Sequence, residues 1–459
     1  MNTATLTQLN RCMTASLMGS VVETIGMTAA VADFPVPVGS LVRIERDSDA
    51  AAEGEVVGFR DGLTIVYLLT PSSGVRRGNR VRMVRTSSLL RIGNGLLGRV
   101  IDSRGRCIDG RPQPVLTDRV ERDRMPPSPV ERPRIREPLG TGVQAIDALL
   151  TCGRGQRLGI FAGSGVGKSV LLGMMCRYTN ADVIVTGLIG ERGREVNEFL
   201  ERDLGEEGIS RSVVVVATSN EPALARVQAA STATAVAEYF RDQGKQVLLL
   251  MDSVTRFALA QREIGLAAGE PPTTRGYPPS TFALLPRLVE RAGQSREGSI
   301  TAFYTVLVEG DDENEPIADA VRGLLDGHIW LSRKLAARGH FPAINVLSSI
   351  SRLMKDITAP EHRASAQIIR QLLSAYAEHE DLLSIGAYRR GSNKSVDAGV
   401  DMRDAIDALL RQSTELSLPF EVTVQRLVTL AAQCQLKMNP VGTQPAAAIV
   451  GGGAAAATQ

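Results

Sequence analysis

The sequence predicts an α/β protein with a parallel-sheet core, a small N-terminal β-barrel and a C-terminal helical domain. The core is indicated by nearly continuous apolar runs that alternate with helical patterns between about residues 140 and 353, because strands buried on both faces of a parallel sheet have this composition. Helical patterns continue after Pro360. A glycine-rich loop at 162–169, between a strand-like and a helix-like run, makes the core a phosphate-binding (P-loop) domain.

At the N-terminus, apolar residues recur at spacings of three and four, which predicts an amphipathic helix within residues 1–26. These residues are Leu6, Leu9, Met13, Leu17 and Val21. The spacing leaves open whether the helix packs on the chain's own core or docks a partner. We assign it to docking, since such a narrow apolar face is not stable alone in water.

Residues 27–91 are predicted to form the barrel, because short strand-like segments alternate there with Gly, Asp, Pro and Ser turns. The segments are 41–45, 54–58, 63–69 and 80–84. Seven prolines between Pro112 and Pro138, mixed with Arg and Glu, predict an extended connector that wraps the next domain.

The P-loop domain is assigned to residues 92–358 and the helical domain to 359–440. Strands are expected at 183–189, 213–217, 247–251, 300–308 and 329–331, and C-terminal helices at 362–378, 402–412 and 422–432. The tail, 441–459, is rich in Gly and Ala and is predicted to be disordered.

The composition argues against several classes of protein. With 52 basic and 50 acidic residues the net charge is +2, so no global field attracts nucleic acid or an acidic membrane. The five cysteines are scattered and never spaced as Cys-x-x-Cys, which argues against a disulfide framework or a zinc site and favours the cytoplasm. We find no signal peptide pattern and no apolar run long enough to span a membrane.

The glycine-rich loop carries the first candidate site. Backbone N–H groups of five consecutive residues would face phosphate oxygens, and glycine is expected to supply positive φ at three of them. The five residues are Gly163, Ser164, Gly165, Val166 and Gly167. Lys168 would reach the outer phosphates, the Ser169 hydroxyl would bind Mg²⁺, and Val170 begins the following helix. The pattern therefore predicts a nucleoside triphosphate such as ATP, although a plain glycine-rich turn is the simpler alternative.

Two strand ends carry further candidates. Asp252 ends an apolar strand at the edge where α/β sheets bind ligands, and a carboxylate there suits Mg²⁺ and its waters. Glu191 and Arg192 follow a second strand, where Glu191 would polarise the attacking water and Arg192 would hold γ-phosphate oxygens. A turn-capping Asp and a surface ion-paired loop are the structural alternatives.

Several segments together closely resemble the export ATPases of type III secretion, which are relatives of the catalytic subunit of the rotary F1 ATP synthase. These segments are 141–147, 150–159, 161–169, 190–196, 275–280, 309–312, 326–329 and 339–347. The resemblance covers about residues 93–432 and implies a RecA/F1-like core. It is greatest to flagellar members of the family and next greatest to injectisome members.

The resemblance implies roles for individual residues. Glu191 takes the place of the catalytic carboxylate, while Lys168, Ser169 and Asp252 keep the phosphate and metal roles derived above. Arg352 matches the segment that supplies an arginine finger across a subunit boundary, which implies a homohexamer. Phe341 falls where relatives place an aromatic on the adenine, although a phenylalanine before proline is also a common core residue.

The resemblance also implies partners and a location. The partners would be a dimeric stator-like regulator at the N-terminal end, membrane proteins of the export gate, and export chaperones with their substrates. The protein would be cytoplasmic and peripheral at the inner-membrane export apparatus. No nucleic acid is expected, because the predicted barrel has only Phe34, Phe59 and Tyr67 as aromatics for base stacking.

The sequence departs from the family in two places. Arg426 lies near the position of a second adenine-pocket aromatic in rotary subunits, and Gly399-Val400 replaces a more usual Ala-Ile. Tyr277 lies in a loop that resembles the one facing the ring channel, but a rigid turn explains its prolines equally well. An ATP synthase subunit is the third functional alternative, and the basic segment 383–391 argues against it, because that role predicts an acidic shaft-contacting loop.

Overall fold

The computed structural model describes residues 17–46, 50–86, 88–308 and 315–439. The predicted architecture is confirmed: a barrel, a central sheet flanked by helices and a C-terminal helical region follow one another along the chain. The predicted tail at 441–459 and the segment 309–312 lie outside the described residues.

Six antiparallel strands close the barrel. They are β1 Met18–Ile25, β2 Thr28–Ala32, β3 Leu41–Ile44, β4 Ala52–Arg60, β5 Leu63–Leu68 and β6 Arg80–Arg85. Around the barrel the order is β1-β2-β5-β4-β3-β6. Alternate side chains point inward, as Val42 and Ile44 do on β3, and fill the interior.

The first strand corrects the predicted N-terminal helix, which is wrong for residues 18–25. β1 pairs with β2 and β6, Val21 is 1% exposed inside the barrel, and Leu17 packs on the same core. A spacing of four residues keeps side chains on one face of a strand as well as of a helix, because four is a multiple of the two-residue strand period. Leu6, Leu9 and Met13 lie outside the described residues.

The connector contributes a strand to the central domain. β7 (Leu89–Ile92) pairs with β9 (Asp118–Glu121), and Leu90 and Ile92 are buried in the central core, so this domain begins slightly before residue 92. Further along, Nη1 of Arg132 donates a hydrogen bond to the carbonyl oxygen of Ala292 at 2.7 Å. The proline-rich segment is thereby held against the domain that it wraps.

The central sheet has nine strands. They are β8 Arg99–Asp102, β12 Arg157–Ala162, β13 Val183–Glu191, β14 Ser212–Thr218, β15 Gln246–Asp252, β16 Gly293–Gln294, β17 Ser299–Leu307, β18 Gly327–Leu331 and β19 Ile344–Ser351. The main path through the sheet is β19-β18-β12-β17-β15-β13-β14-β8, with β16 paired beside β17. The strands along the path are parallel except for β19 at one edge. Two further short strands, β10 Pro138–Leu139 and β11 Cys152–Gly153, form a separate antiparallel pair.

Helices lie between the strands of this domain. They are α1 Gln144–Leu149, α2 Lys168–Tyr178, α3 Gly193–Glu198, α4 Gly205–Ser210, α5 Ala223–Arg241, α6 Val254–Ala268, α7 Pro279–Val289, α8 Pro316–Leu324, α9 Arg333–Ala337 and α10 Met354–Ile357. Two separate clusters of buried side chains contain residues of the sheet. Burial on both faces explains the nearly continuous apolar runs of the central strands.

Five helices form the C-terminal region: α11 Pro360–Glu378, α12 Glu380–Ser384, α13 Lys394–Asp401, α14 Arg403–Leu410 and α15 Phe420–Met438. Their buried side chains, including Ile369 and Leu427, share one apolar cluster with Leu172 of α2. A Cβ at Gly399 would lie 3.1 Å from the carbonyl oxygen of Leu372, so this departure from the family lets α13 approach α11 closely. Among the described residues, no helix is both long and apolar enough to cross a membrane.

Candidate nucleotide-binding site

The phosphate loop joins β12 to α2, whose first residue is Lys168. Gly165 and Gly167 have φ values of 78° and 89°, a region that residues with a side chain rarely adopt. Val166 is 2% exposed and anchors the loop in the core, whereas Ser164 is exposed and Val170 is half-buried. The free N–H groups at the start of α2 add partial positive charge beside the loop, which favours phosphate.

Gly163 differs from the expectation, because its φ lies outside the left-handed region. A Cβ at this position would lie 2.5 Å from Nη2 and 2.6 Å from Nε of Arg333. A side chain at this position would therefore have to displace a guanidinium group, so the close approach of Arg333, rather than backbone conformation, favours glycine here. No local sequence pattern marks Arg333 as part of the site.

Lys168 and Asp252 are brought together as the sequence predicts. Nζ of Lys168 forms an ion pair with Oδ1 of Asp252, which is the last residue of β15 and is 3% exposed. Oγ1 of Thr305, on the neighbouring β17, donates a hydrogen bond to the same oxygen at 2.7 Å. Thr305 thus orients the carboxylate, a role that its position inside an ordinary apolar strand did not indicate.

The residues at this edge fit a magnesium ion that binds together with phosphate. Within the described ranges, no group of three His, Cys, Asp or Glu side chains is placed to hold a metal alone. Mg²⁺ is commonly held by one or two protein groups, with phosphates and water completing its coordination. The Asp252 carboxylate and the Ser169 hydroxyl, which is exposed at the start of α2, would supply those two groups.

Glu191 is the last residue of β13 and is 9% exposed. Its Oε1 atom is buried and has no hydrogen-bond partner among the described residues. Burial, and then the negative charge of Asp252, raises the pKa of Glu191 to about 7. A hydrogen bond with Glu191 in turn lowers the pKa of Glu195, one turn further along. A carboxyl group with a pKa near neutrality suits a general base.

Two arginines lie beside Glu191. Arg192, the one predicted from the sequence to hold γ-phosphate oxygens, is paired elsewhere. The Arg192 side chain is 76% exposed and forms an ion pair with Glu195 at 3.3 Å, so it lies at the rim of the site. Arg256, which is not among the residues predicted from the sequence, packs its side-chain stem against Gly190, and its charge lowers the pKa of Glu191. Its only sequence signal is its place four residues after Asp252.

Phe341 lies over the phosphate loop. A Cβ at Gly167 would be 3.6 Å from the Phe341 ring, and the phenylalanine is 45% exposed. This exposure argues against the alternative that Phe341 is a core residue. Arg426 on α15 is exposed, and its Nη1 atom donates a hydrogen bond to Oε1 of Gln144 at 2.9 Å.

Arg352 and Tyr277 lie apart from this cluster. Arg352 follows the edge strand β19, its backbone N–H donates to the carbonyl oxygen of Asp326 at 3.0 Å, and the residue is exposed. An exposed arginine at the sheet edge is accessible to a neighbouring subunit. Tyr277 is 5% exposed and packs edge-on against Phe282, so within one chain its ring is a packing group.

Comparisons with known proteins agree with the geometry of the site. Residues 142–351 match the family described as the ATP synthase alpha/beta family, nucleotide-binding domain. Residues 358–429 match the T3SS EscN ATPase C-terminal domain.

Similar proteins come from both flagellar and type III secretion systems. The flagellum-specific ATP synthase of Bacillus subtilis is 50% identical over 414 residues, which are 90% of this chain and 93% of that protein. The type 3 secretion system ATPase of Xanthomonas euvesicatoria is 48% identical over 413 residues, with the same two coverages. The structure of the assembled ATPase EscN from the enteropathogenic E. coli type III secretion system matches with a TM-score of 0.85 and 44% identity, over 90% of this chain and 100% of that one. The chain therefore belongs to the ATP synthase alpha/beta family, in the branch of the flagellar and type III secretion ATPases.

Proposed function

We propose that this chain hydrolyses ATP with Mg²⁺ as a homohexamer and thereby energises flagellar protein export at the cytoplasmic face of the membrane. The observation that supports this best is the convergence of Lys168, Asp252 and Glu191 at the carboxyl edge of one sheet, beside a loop with the backbone of a phosphate binder. Phosphoryl transfer needs positioning and charge stabilisation more than covalent chemistry. These residues provide both.

Each residue has a distinct role in the proposed reaction. The loop N–H groups and Lys168 bind the phosphates and orient the γ-phosphoryl group. Glu191 accepts a proton from the attacking water. Bound Mg²⁺, held by Asp252 and Ser169, would neutralise charge on the phosphate oxygens. Arg192, at the rim, would contact γ-phosphate oxygens only after its exposed side chain reorients.

The ring is proposed because Arg352 is exposed at the sheet edge, where it can serve as an arginine finger for the next subunit. Stacking of adenine on Phe341 would complete the nucleotide site within each subunit. The related EscN was solved as an assembled ATPase and also in complex with its central stalk EscO, which supports the ring. The stator-like regulator, the export gate proteins, and export chaperones with their substrates are the further partners that we propose.

The flagellar role is preferred over an injectisome role from family likeness. The two relatives described above differ by only two percentage points of identity, so identity alone separates the roles weakly. Deleting the gene in its source bacterium tests this choice directly. Loss of swimming and of flagellar filaments is expected, whereas intact motility with lost needle-dependent secretion would support the injectisome role.

Steady-state hydrolysis and nucleotide binding test the chemistry. Lys168→Ala should lose nucleotide affinity, because it removes the charge that faces the outer phosphates. Glu191→Gln should still bind nucleotide but lose turnover by about 100-fold or more. Turnover close to wild type in Glu191→Gln would contradict the assignment of the base, and a wild-type protein that bound no nucleotide would contradict the proposed function.

A further inference from the structure

The phosphate loop is contacted at both ends by one segment that begins with α9. Arg333, the first residue of α9, places its guanidinium against Gly163 at the start of the loop. Phe341, eight residues later, places its ring against Gly167 at the end. The segment between them therefore runs alongside the nucleotide site.

The sheet holds Arg333 in this place. β12 and β18 are parallel neighbours in which Ala162 is paired with Leu331, so Gly163 and Arg333 leave the two strands at the same edge. The start of α9 is fixed as well: the Ser332 N–H donates to the carbonyl oxygen of Ala343 at 2.8 Å, and the Ser332 hydroxyl accepts from the Leu335 N–H at 3.3 Å. The backbone that carries the guanidinium is thus anchored on both sides.

We propose that Arg333 is a positioning residue that sets the start of the phosphate loop for nucleotide binding through its contact with Gly163. This inference rests on the proposed nucleotide-binding function. The planar guanidinium lies over the bare backbone of Gly163, so a side chain there would have to displace it. It also adds a fixed positive charge at the sheet edge where the phosphates bind. Both effects act on bound nucleotide before and during hydrolysis, so they change KM more than kcat.

A double-mutant cycle tests the contact. Gly163→Ala should displace the guanidinium and weaken binding of ATP and of a non-hydrolysable ATP analogue about tenfold, as should Arg333→Ala. In the Arg333→Ala background the obstacle is gone, so adding Gly163→Ala should cost almost nothing further. The measurements are equilibrium binding, KM and kcat, with Tm to show that every variant is folded. We expect KM to rise, with kcat and Tm nearly unchanged.

Gly165→Ala is the matched control, because Gly165 has a φ of 78° and open space around its Cβ position. Its cost comes from backbone conformation and should be the same with Arg333 or Ala at position 333. The inference would be overturned if Gly163→Ala cost as much in the Arg333→Ala background as in the wild type, or if Arg333→Ala bound ATP normally. Failure of the wild-type protein to bind nucleotide would overturn the proposed function, and this inference with it.

Discussion

Replacement of Glu191 by glutamine should make the protein more stable at alkaline pH while inactivating it. Glu191 is held at the end of a buried strand, close to the negative charge of Asp252, and Oε1 has no hydrogen-bond partner among the described residues. An ionised carboxyl group is unfavourable in those surroundings. Glutamine keeps nearly the same shape without the charge, so it removes the electrostatic cost together with the proposed general base.

The pKa gives the sign and size of the effect. The pKa of Glu191 is raised from 4.5 to about 7, mainly by burial and then by Asp252. Because the folded state holds this proton more tightly than the unfolded state, the stabilisation is complete below pH 4.5 and is lost as the pH rises to about 7. At about 1.4 kcal/mol for each pKa unit, the wild-type free energy of unfolding loses about 3 kcal/mol over that window. Between pH 5 and pH 8, the advantage of Glu191→Gln over wild type should therefore grow by about 2 to 3 kcal/mol.

Thermal unfolding at pH 5 and pH 8, without added nucleotide, measures this advantage. For a domain of this size, about 2 °C of Tm corresponds to 1 kcal/mol, so the Tm difference between variant and wild type should increase by about 5 °C at the higher pH. Glu198→Gln is the matched control, because the Glu198 side chain is 45% exposed and pairs with Arg194 at the surface. It should show no such growth. An advantage for Glu191→Gln that was equal at both pH values would refute the reasoning.

Three further predictions concern the ring, the adenine-stacking residue and the N-terminus. Arg352→Ala should be inactive alone, yet mixing it with Lys168→Ala chains should restore some hydrolysis, since some sites then combine an intact loop with an intact neighbouring finger; no recovery in mixed rings would contradict a finger acting in trans. Phe341→Ala should raise the KM for ATP about tenfold with little change in Tm, because its exposed ring has little packing to lose; an unchanged KM would argue against base stacking. Removal of residues 1–16, which spares β1, should abolish capture of the stator-like regulator in a pull-down while nucleotide binding stays intact, and normal capture would place the docking site elsewhere.

The parts of the site that could be predicted from sequence are those with a local signal. Asp252 and Glu191 both end apolar strands, and parallel strands bring their carboxyl ends to one edge. Thr305, Arg256 and Arg333 lie near the same edge but within ordinary strand and helix patterns. Only the order of strands in the sheet brings them to the site, and that order is a property of the whole domain.

The fold shows the same division between local and global information. The predicted bounds of the long apolar strands lie close to the observed ones, because burial on both faces leaves a continuous apolar pattern. β1 was missed, because Leu17 and Val21 satisfy the periods of a helix and of a strand equally well. Pairing with β2 and β6 decides between the two, and closing the barrel requires that strand. The short helices α12 and α13 were also missed, since the glycine- and serine-containing sequence between them obscures their periodicity.

If Lys168 binds phosphate and Asp252 binds Mg²⁺ as proposed, the ion pair between them links the binding of nucleotide to the binding of metal. Each of these side chains is the other's counter-ion, so a phosphate that recruits Lys168 releases the Asp252 carboxylate, and a cation that recruits Asp252 releases the lysine. The affinity for nucleotide should then rise when metal is bound, and the affinity for metal should rise by the same factor when nucleotide is bound. Magnesium without nucleotide, or nucleotide without magnesium, would have to disrupt the pair and leave one side chain without this counter-ion, which would favour the complete Mg·ATP complex over either component alone.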